Sequence, residues 1–499
     1  MRKKSLMKVA GFALATSLAF TGCGDSGGVP ELEGGGIVGG TGGAATTTGG
    51  VTGGATTGGA TAGTTGVGLT GGSMAGTFGG GTGGAAGGGG VATTAGGGAA
   101  AGTTDGAAAG TTGTPVINNF LDATSPTVIR ASLDNPTVFT ELVVGGVPRV
   151  FIVDGFQLGS NNGRVFSFDS SAGASVVQEI LPNADSTASA ALTNPFDIVT
   201  DGTDLFVSVG MGSFQEGGII RISNITDTGG VLTGTFEDLT DTAVTPINPA
   251  YMTLARQASG QTFLYWTEYA AASGSGQVRR VPTDGSGPVE VIINNLNFPL
   301  GIDHNGIELA VCDTAGGGGG NGRVILAPLA PAGILDGQSL TDVTLVEPAA
   351  GEIPIIRPFD IGFDFNNGFF FTEGAALPIP TAPVATGPGG GAVRFIPSNS
   401  ATATIVNSGL TNVAGLDAVD SNGDGITSLL FSESIDSTGT VLKRIVDTNA
   451  IVQTLPTTVD SGLFSPLTVG ILGEFVPEVL TIINFDGGQG NGTFTGYAP

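Results

Sequence analysis

The sequence predicts an all-β fold for residues 115–499, and three observations support this prediction. A strand pattern, usually led by proline, recurs at intervals of 59, 54, 50, 59, 55 and 53 residues. Each copy is followed by a glycine and a third apolar strand, commonly carrying arginine. Six of the seven copies then have a further β-prone stretch. Four short strands per unit of about 55 residues is typical of a β-propeller blade, so we predict a β-propeller.

Residues 1–22 are predicted to be a secretory signal. A basic start at residues 2–8 precedes an apolar stretch at 9–20. This stretch is too short to cross a bilayer, because a membrane helix needs about 20 residues. It ends in FTGC at 20–23, which resembles the lipobox of bacterial lipoproteins. The resemblance implies that Cys23 is lipidated and becomes the mature N-terminus. A plain secretory signal is the alternative.

The implied location is the bacterial cell envelope. Asp25 does not directly follow Cys23, which by resemblance to the sorting rule of enteric bacteria implies an outer-membrane lipoprotein facing the periplasm or the cell surface. The membrane is therefore one expected partner, through the lipid anchor. The net charge of −26 excludes nucleic acid as a partner, because phosphate binding requires clustered Lys and Arg. Nothing in the sequence sets the oligomeric state.

Residues 23–114 are predicted to be the lipidated cysteine and a tether. Between residues 24 and 114 nearly every position is Gly, Thr or Ala, and 38 of 91 are glycine. No hydrophobic periodicity survives, so burial cannot offset the entropy of ordering the chain. We expect a disordered linker with a mean span of about 50–57 Å, from roughly 5–6 Å × √n. A glycine-rich structural repeat is the alternative, although the runs keep no fixed period.

The β region from residue 115 onward is predicted to begin each unit with a hairpin. The clearest copies are PFDIVTDGTDLFVSV at 195–209, PLGIDHNGIELAVCD at 299–313 and PFDIGFDFNNGFFFTE at 358–373. Asp-Gly or Asn-Gly between two apolar runs is a strong hairpin signal. Looser copies begin at Pro136, Pro249, Val413 and Pro466. The seventh unit lacks a fourth strand, which 115–120 or 127–133 is predicted to supply. This closure favours seven blades, with six as the alternative.

The pattern resembles the repeats of NHL and SMP-30-like propellers. The residues that carry the resemblance are Pro299, Gly301, Ile302, Asp313, Asn321, Arg323 and Val324. It covers most of residues 130–496 and implies a scaffold that hosts unrelated functions. The SMP-30-like lactonases hold a divalent metal through carboxylates and an asparagine that follows a blade-opening proline. Leu300 stands at that place here, so the resemblance implies that one ligand is missing.

Most reactive side chains are predicted to be structural. His304, the only histidine, lies in the turn DHNG, where we expect a solvated residue, and it excludes any mechanism using two histidines. Cys312 and Trp266 lie on strands and are expected in the core. An arginine recurs on the third strands, and we expect it to pair with carboxylates of the blades. The alternative is that these arginines form a ring that binds an anionic ligand. These arginines are Arg221, Arg279, Arg323 and Arg394.

One segment has the spacing of a calcium loop. DSNGDG at 420–425 aligns Asp420, Asn422 and Asp424 as alternating oxygen ligands. Position 12 of that motif requires a bidentate glutamate, but Phe431 stands there. The missing glutamate favours a plain polar turn, with a structural Ca²⁺ as the alternative.

The best candidates for a functional site are Asp197 and Asp360. Each follows a unit-opening proline by two residues, which predicts that both approach the mouth of a central channel. The sequence favours a lipoprotein that displays its propeller as a non-catalytic binding or scaffolding module, contacting a protein or glycan ligand through the blade loops. The alternative is a propeller hydrolase, lactonase or lyase with a divalent metal in the channel.

Overall fold

The computed structural model describes parts of the chain from residue 126 onward. The described ranges are 126–155, 163–169, 177–189, 192–210, 217–240, 248–268, 274–314, 322–364, 368–374, 390–419, 427–433, 439–447, 452–453, 457–463, 466–472, 479–484 and 492–497. All of them lie within one compact unit, Val91–Pro499. None of these ranges contains a helix long and apolar enough to cross a membrane.

The described residues are all-β, which confirms the predicted fold class at that level. In chain order the strands are β1 (Pro126–Leu133), β2 (Phe139–Val144), β3 (Val147–Asp154), β4 (Arg164–Asp169), β5 (Val177–Glu179), β6 (Leu181–Pro182), β7 (Ile198–Thr200), β8 (Leu205–Val209), β9 (Gly218–Thr228), β10 (Val231–Asp238), β11 (Pro249–Arg256), β12 (Thr262–Glu268), β13 (Gly276–Pro282), β14 (Glu290–Leu296), β15 (Pro299–His304), β16 (Glu308–Asp313), β17 (Arg323–Pro328), β18 (Leu335–Asp336), β19 (Thr344–Leu345), β20 (Glu347–Pro348), β21 (Pro358–Asp364), β22 (Gly368–Glu373), β23 (Gly391–Pro397), β24 (Thr402–Leu410), β25 (Val413–Val419), β26 (Thr427–Glu433), β27 (Gly439–Asp447), β28 (Val452–Gln453), β29 (Thr457–Leu463), β30 (Pro466–Leu472), β31 (Val479–Asn484) and β32 (Gly492–Tyr497).

Across the described ranges these strands form seven sheets. Their strand orders are β2-β3-β4-β5 (sheet 1), β7-β8-β9-β10-β6 (sheet 2), β11-β12-β13-β14-β18 (sheet 3), β15-β16-β17-β19 (sheet 4), β21-β22-β23-β24-β20 (sheet 5), β25-β26-β27 with both β28 and β29 on β27 (sheet 6), and β30-β31-β32-β1 (sheet 7). The first strand of each order is called the leading strand below. Leading, second and third strands pair antiparallel, as consecutive hairpins do.

Among the three clearest copies, the predicted Asp-Gly and Asn-Gly turns are confirmed at the two whose turns are described. Gly202 and Gly306 have φ of 90° and 87°, a left-handed conformation that glycine adopts without a steric penalty. The preceding Asp201 and Asn305 each accept backbone N–H groups of their own turn through the side-chain oxygen. Such local hydrogen bonding explains why Asp-Gly and Asn-Gly mark these turns.

The second strands lie deepest in the core. All residues of β8 and β22 are buried, in keeping with continuous apolar runs rather than alternating ones. Between sheets 2 and 3 one hydrophobic cluster contains Phe206, Leu264 and Trp266. The prediction that Trp266 belongs to the core is therefore confirmed.

The two ends of the described chain meet in sheet 7. β1 pairs antiparallel with β32, which confirms that the segment around 127–133 completes the last unit. The leading strands of consecutive sheets contact one another from sheet 1 through sheet 7. Sheet 7 also reaches sheet 1, because Thr468 Oγ1 donates to the carbonyl of Thr137. Gly470 leaves room for a ring of sheet 1, since a Cβ there would lie 2.7 Å from Phe139 Cζ.

Candidate functional site

Three aspartates lie on leading strands or at their edge and point at the next leading strand. Asp197 Oδ2 accepts the backbone N–H of Met252 at 2.7 Å, and Asp360 Oδ2 accepts that of Leu416 at 2.9 Å. A leading strand is the edge of its sheet, so part of its N–H groups lack a partner in the ladder. A carboxylate from the preceding unit satisfies such a group. The two predicted residues are thus both placed between neighbouring sheets.

The third aspartate, Asp303, was missed by the sequence analysis. Its Oδ2 accepts the N–H of Phe363 at 2.7 Å, across the boundary between sheets 4 and 5. Its Oδ1 accepts the N–H of His304 at 2.8 Å and the hydroxyl of Thr253 at 3.2 Å. Asp303 stands four residues after Pro299, whereas the predicted pair stand two after their prolines. Because of this different offset, a search by distance from proline does not find Asp303. The N–H that it binds, that of Phe363, stands five residues after Pro358, one position more than the offset of Asp303 from Pro299.

Within the described part of the chain, none of these three carboxyl groups forms an ion pair with an arginine or a lysine. Burial raises the pKa of Asp197 to about 7, against the opposing effect of the Met252 and Ile198 amides. Burial also raises the pKa of Asp360 to about 7, and the charges of Asp197 and Asp303 add to that rise. Burial raises the pKa of Asp303, and the hydrogen bonds from the backbone N–H groups of His304 and Phe363 oppose the rise. Asp197 and Asp303 therefore both lie within electrostatic reach of Asp360.

Tyr251 joins this group from the leading strand of sheet 3. Its ring makes edge contacts with Phe196, at 5.0 Å between centroids, and with Phe359, at 5.9 Å. Burial raises the pKa of the Tyr251 phenol well above its ordinary value, and the charges of Asp360 and Asp197 raise it further. The phenol therefore remains a proton donor beside carboxyls that titrate near neutral pH. We call Asp197, Asp303, Asp360 and Tyr251 the carboxyl–phenol cluster.

His304 is buried, so the prediction of a solvated turn residue is wrong. Its Nε2 lies 2.7 Å from the carbonyl oxygen of Leu254, and its Nδ1 lies 3.0 Å from the N–H of Gly306. A carbonyl needs a donor and an amide needs an acceptor, so these bonds fit the neutral ring protonated on Nε2. The ring spans two sheets rather than facing solvent. Cys312 is fully buried, as predicted for a core residue.

The predicted pairing of third-strand arginines with carboxylates is confirmed. The pairs are Arg221–Asp204, Arg279–Glu268, Arg323–Asp313 and Arg394–Glu373. The last three join an acid that ends a second strand to the neighbouring third strand. Arg394 and Glu373 are both fully excluded from solvent, and Arg394 Nη1 also binds Glu352 at 2.9 Å. Each of these arginines forms an ion pair with a carboxylate of its own sheet or unit, so the four do not form a ring around a ligand.

Other candidate residues lie outside the described part of the chain. These are Cys23 and the loop residues Asp420, Asn422 and Asp424. Within the described ranges no group of three or more His, Cys, Asp or Glu is arranged to hold a metal ion.

No family model and no curated protein matches the sequence. Solved structures similar to the chain include an ulvan lyase of the PL25 polysaccharide lyases bound to -[GlcA(1-4)Rha3S]-, at 10% identity and TM-score 0.44, covering 75% of this chain and 96% of that chain. Polysaccharide lyase Uly1 is similar at 10% identity and TM-score 0.42, covering 73% and 88%. An endo-arabinase from Bacteroides thetaiotaomicron VPI-5482 is similar at 11% identity and TM-score 0.31, covering 75% and 98%.

The expectation of a non-catalytic binding or scaffolding module is overturned by this comparison. The solved structures named above are two kinds of polysaccharide lyase and an endo-arabinase, and each of these three is an enzyme.

Proposed function

We propose that the protein is an enzyme, a lyase or a hydrolase, in which the carboxyl–phenol cluster transfers protons. The observation that carries the proposal is a set of three carboxyls without a counter-cation among the described residues, of which Asp197 and Asp303 are buried and Asp360 is partly buried. Desolvation raises the pKa of Asp197 and of Asp360 to about 7, and the Tyr251 phenol beside them keeps its proton. A general acid or base works best when its pKa lies near the working pH. Strongly perturbed carboxyls that gather in one place are candidates for such a role.

The chemistry follows from the protonation states. Near neutral pH, an ionised Asp360 or Asp197 can take a proton from a substrate carbon or from water, while a protonated neighbour or Tyr251 returns one to the leaving oxygen. Proton abstraction from carbon would make the protein a lyase, and activation of water would make it a hydrolase. Both need one group in each protonation state, which mutual repulsion among three carboxyls favours.

We also propose that the seven sheets are the blades of a β-propeller, with the leading strands around its axis. The consecutive contacts of leading strands and the Thr468 bond to sheet 1 support this arrangement. In it, Phe196, Tyr251 and Phe359 would approach one another across the axis from sheets 2, 3 and 5. The NHL and SMP-30-like character of the repeats belongs to this proposal.

The N-terminal part of the proposal is a lipid anchor at Cys23 and a flexible tether to residue 114, which would hold the enzyme at the cell envelope. The FTGC sequence and the glycine content support it. A Cys23→Ala variant should lose membrane association in a fractionation experiment. A variant that stays with the membrane would contradict the anchor.

The enzymatic proposal is tested by assaying the full chain against a panel of neutral and acidic polysaccharides, with ulvan included. Elimination would create an unsaturated product that absorbs ultraviolet light, whereas hydrolysis would release reducing ends without it. Asp360→Asn keeps an acceptor oxygen for the Leu416 amide but cannot act as a base. We expect it to lower the rate by about 10²–10⁴-fold.

Asp185→Asn is the matched control, because Asp185 is exposed and lies outside the cluster. Its activity should equal that of the wild type. A folded Asp360→Asn and a folded Asp197→Asn that both keep full activity would overturn the proposal.

A further inference from the structure

Arg357 stands out among the buried arginines of the described chain. It directly precedes Pro358 at the start of β21, and only 5% of it is exposed. Its φ is +49°, a left-handed conformation that side chains rarely adopt. The other non-glycine residues with positive φ in the described ranges are all asparagines, which tolerate it. The backbone at Arg357 is therefore strained in a way that the residue type does not explain.

Among the described residues, no hydrogen-bond or ion-pair partner binds the guanidinium of Arg357. Its Nη1 is buried without a hydrogen bond, and no ion pair with a described acid involves it. Burial lowers the pKa of this guanidinium, with no acid acting in the opposite direction. The other buried arginines in the described ranges, Arg149, Arg279 and Arg394, each pair with a carboxylate. An unpaired buried charge is costly, which makes Arg357 an exception to explain.

The acids of the adjoining strand ends are already committed. Glu373 Oε2 accepts the N–H of Ile356, and its Oε1 accepts Arg394 Nε. Asp313 Oδ1 accepts the N–H of Phe298, and its Oδ2 binds Arg323. Neither carboxylate forms an ion pair with Arg357, because the two are paired with Arg323 and Arg394.

We propose that Arg357 is a binding residue for an anionic group of a ligand, a carboxylate or a sulfate. A guanidinium recognises both oxyanions through paired N–H donors, which a buried site strengthens. Arg357 directly precedes β21 and stands three residues before Asp360, so their Cα atoms are at most about 11 Å apart, at up to 3.6 Å per residue. A charged saccharide unit held at Arg357 would thus lie close to the carboxyl–phenol cluster. The proposal concerns binding and stands whether or not the cluster is catalytic.

The net charge of −26 makes the expected anion binding easier to interpret. A strongly acidic protein repels anions in general, so non-specific adsorption is not expected. Saturable binding of an anion would therefore indicate a local site.

The test is calorimetric titration of the full chain with sodium glucuronate and with sodium sulfate, at constant ionic strength, with glucose as the neutral control. The wild type should bind at least one anion saturably and should not bind glucose. The anion that binds more tightly identifies the group, because glucuronate represents a carboxylate and sulfate a sulfate ester. Absence of saturable binding of both would overturn the proposal.

Arg357→Asn is the informative variant, because asparagine occupies the other strained positions. It should weaken anion binding by roughly tenfold or more, since a hydrogen-bonded ion pair is lost. It should also melt at a higher temperature than the wild type without ligand, because both the strain and the buried charge are removed. Arg256→Gln, at an exposed arginine, should leave binding unchanged. Equal binding by wild type and Arg357→Asn would contradict the assignment even if anions bind.

Discussion

Two sets of acids in neighbouring sheets have different partners. Glu268, Asp313 and Glu373 end second strands and each meets an arginine of the third strand. The leading-strand aspartates of the carboxyl–phenol cluster meet only backbone amides and a threonine hydroxyl. Both sets satisfy strand edges, but only the first set carries its own counter-charge. The two sets therefore differ in counter-charge rather than in pKa alone, because burial raises the pKa of Glu268 to about 7 even beside Arg279.

The largest stability effect should come from breaking a paired acid. Arg394→Met would leave Glu373 buried without its cation, which should lower the free energy of unfolding by about 3–5 kcal/mol. Urea denaturation measures this change. Arg256→Met removes an exposed arginine and should change stability by less than about 0.5 kcal/mol.

Adding Glu373→Gln to Arg394→Met should recover part of that loss, because the orphaned charge is removed as well. A loss below about 1 kcal/mol for Arg394→Met alone would show that the pair contributes no more than a surface ion pair.

An intermediate effect is expected in the pH dependence of stability. The folded pKa of Asp197 is about 7, above its unfolded value, so the folded state holds the proton more tightly. Its contribution is therefore fully present at acid pH and is lost as pH rises towards 7. Each unit of raised pKa corresponds to about 1.4 kcal/mol.

Asp197→Asn removes this titration. Compared with the wild type, the variant should gain relative stability between about pH 4 and pH 7, the range between the unfolded and folded values. Thermal melts across that range measure the difference. Parallel curves for the two proteins would mean that Asp197 does not titrate near 7.

The smallest stability effect is expected at Tyr251. Tyr251→Phe keeps the edge contacts with Phe196 and Phe359 and removes only the hydroxyl, so unfolding should change by less than about 1 kcal/mol. If the phenol donates a proton, activity should nevertheless fall by about 10²-fold or more. Unchanged activity would confine proton transfer to the carboxyls.

Local signals made much of this fold predictable. The Asp-Gly and Asn-Gly turns and the glycines before third strands mark units in the sequence, and the arginines on those strands indicated the ion pairs. The short parallel additions β6, β18 and β20 were not predictable, because each joins the sheet of another segment through two residues. Their pairing is decided by tertiary packing rather than by a local pattern.

The site was predictable only in part, for the same reason. Asp197 and Asp360 could be found because they share an offset from proline, but their partners Met252 and Leu416 lie one unit further along the chain. Tyr251 has no motif, since its role depends on rings from sheets 2 and 5. Arg357 looks like any arginine until its backbone angle and its lack of a partner are known.

The central expectation is that Asp197 and Asp360 titrate near neutral pH. Carbon-13 NMR of the aspartate carboxyl groups tests it directly, without knowledge of the substrate, by following each signal from acid to alkaline pH. The wild type should show carboxyls that titrate at about 7, and one such signal should be missing in each of Asp197→Asn and Asp360→Asn. A wild-type protein in which every aspartate titrates below about 5, as ordinary aspartates do, would contradict the account.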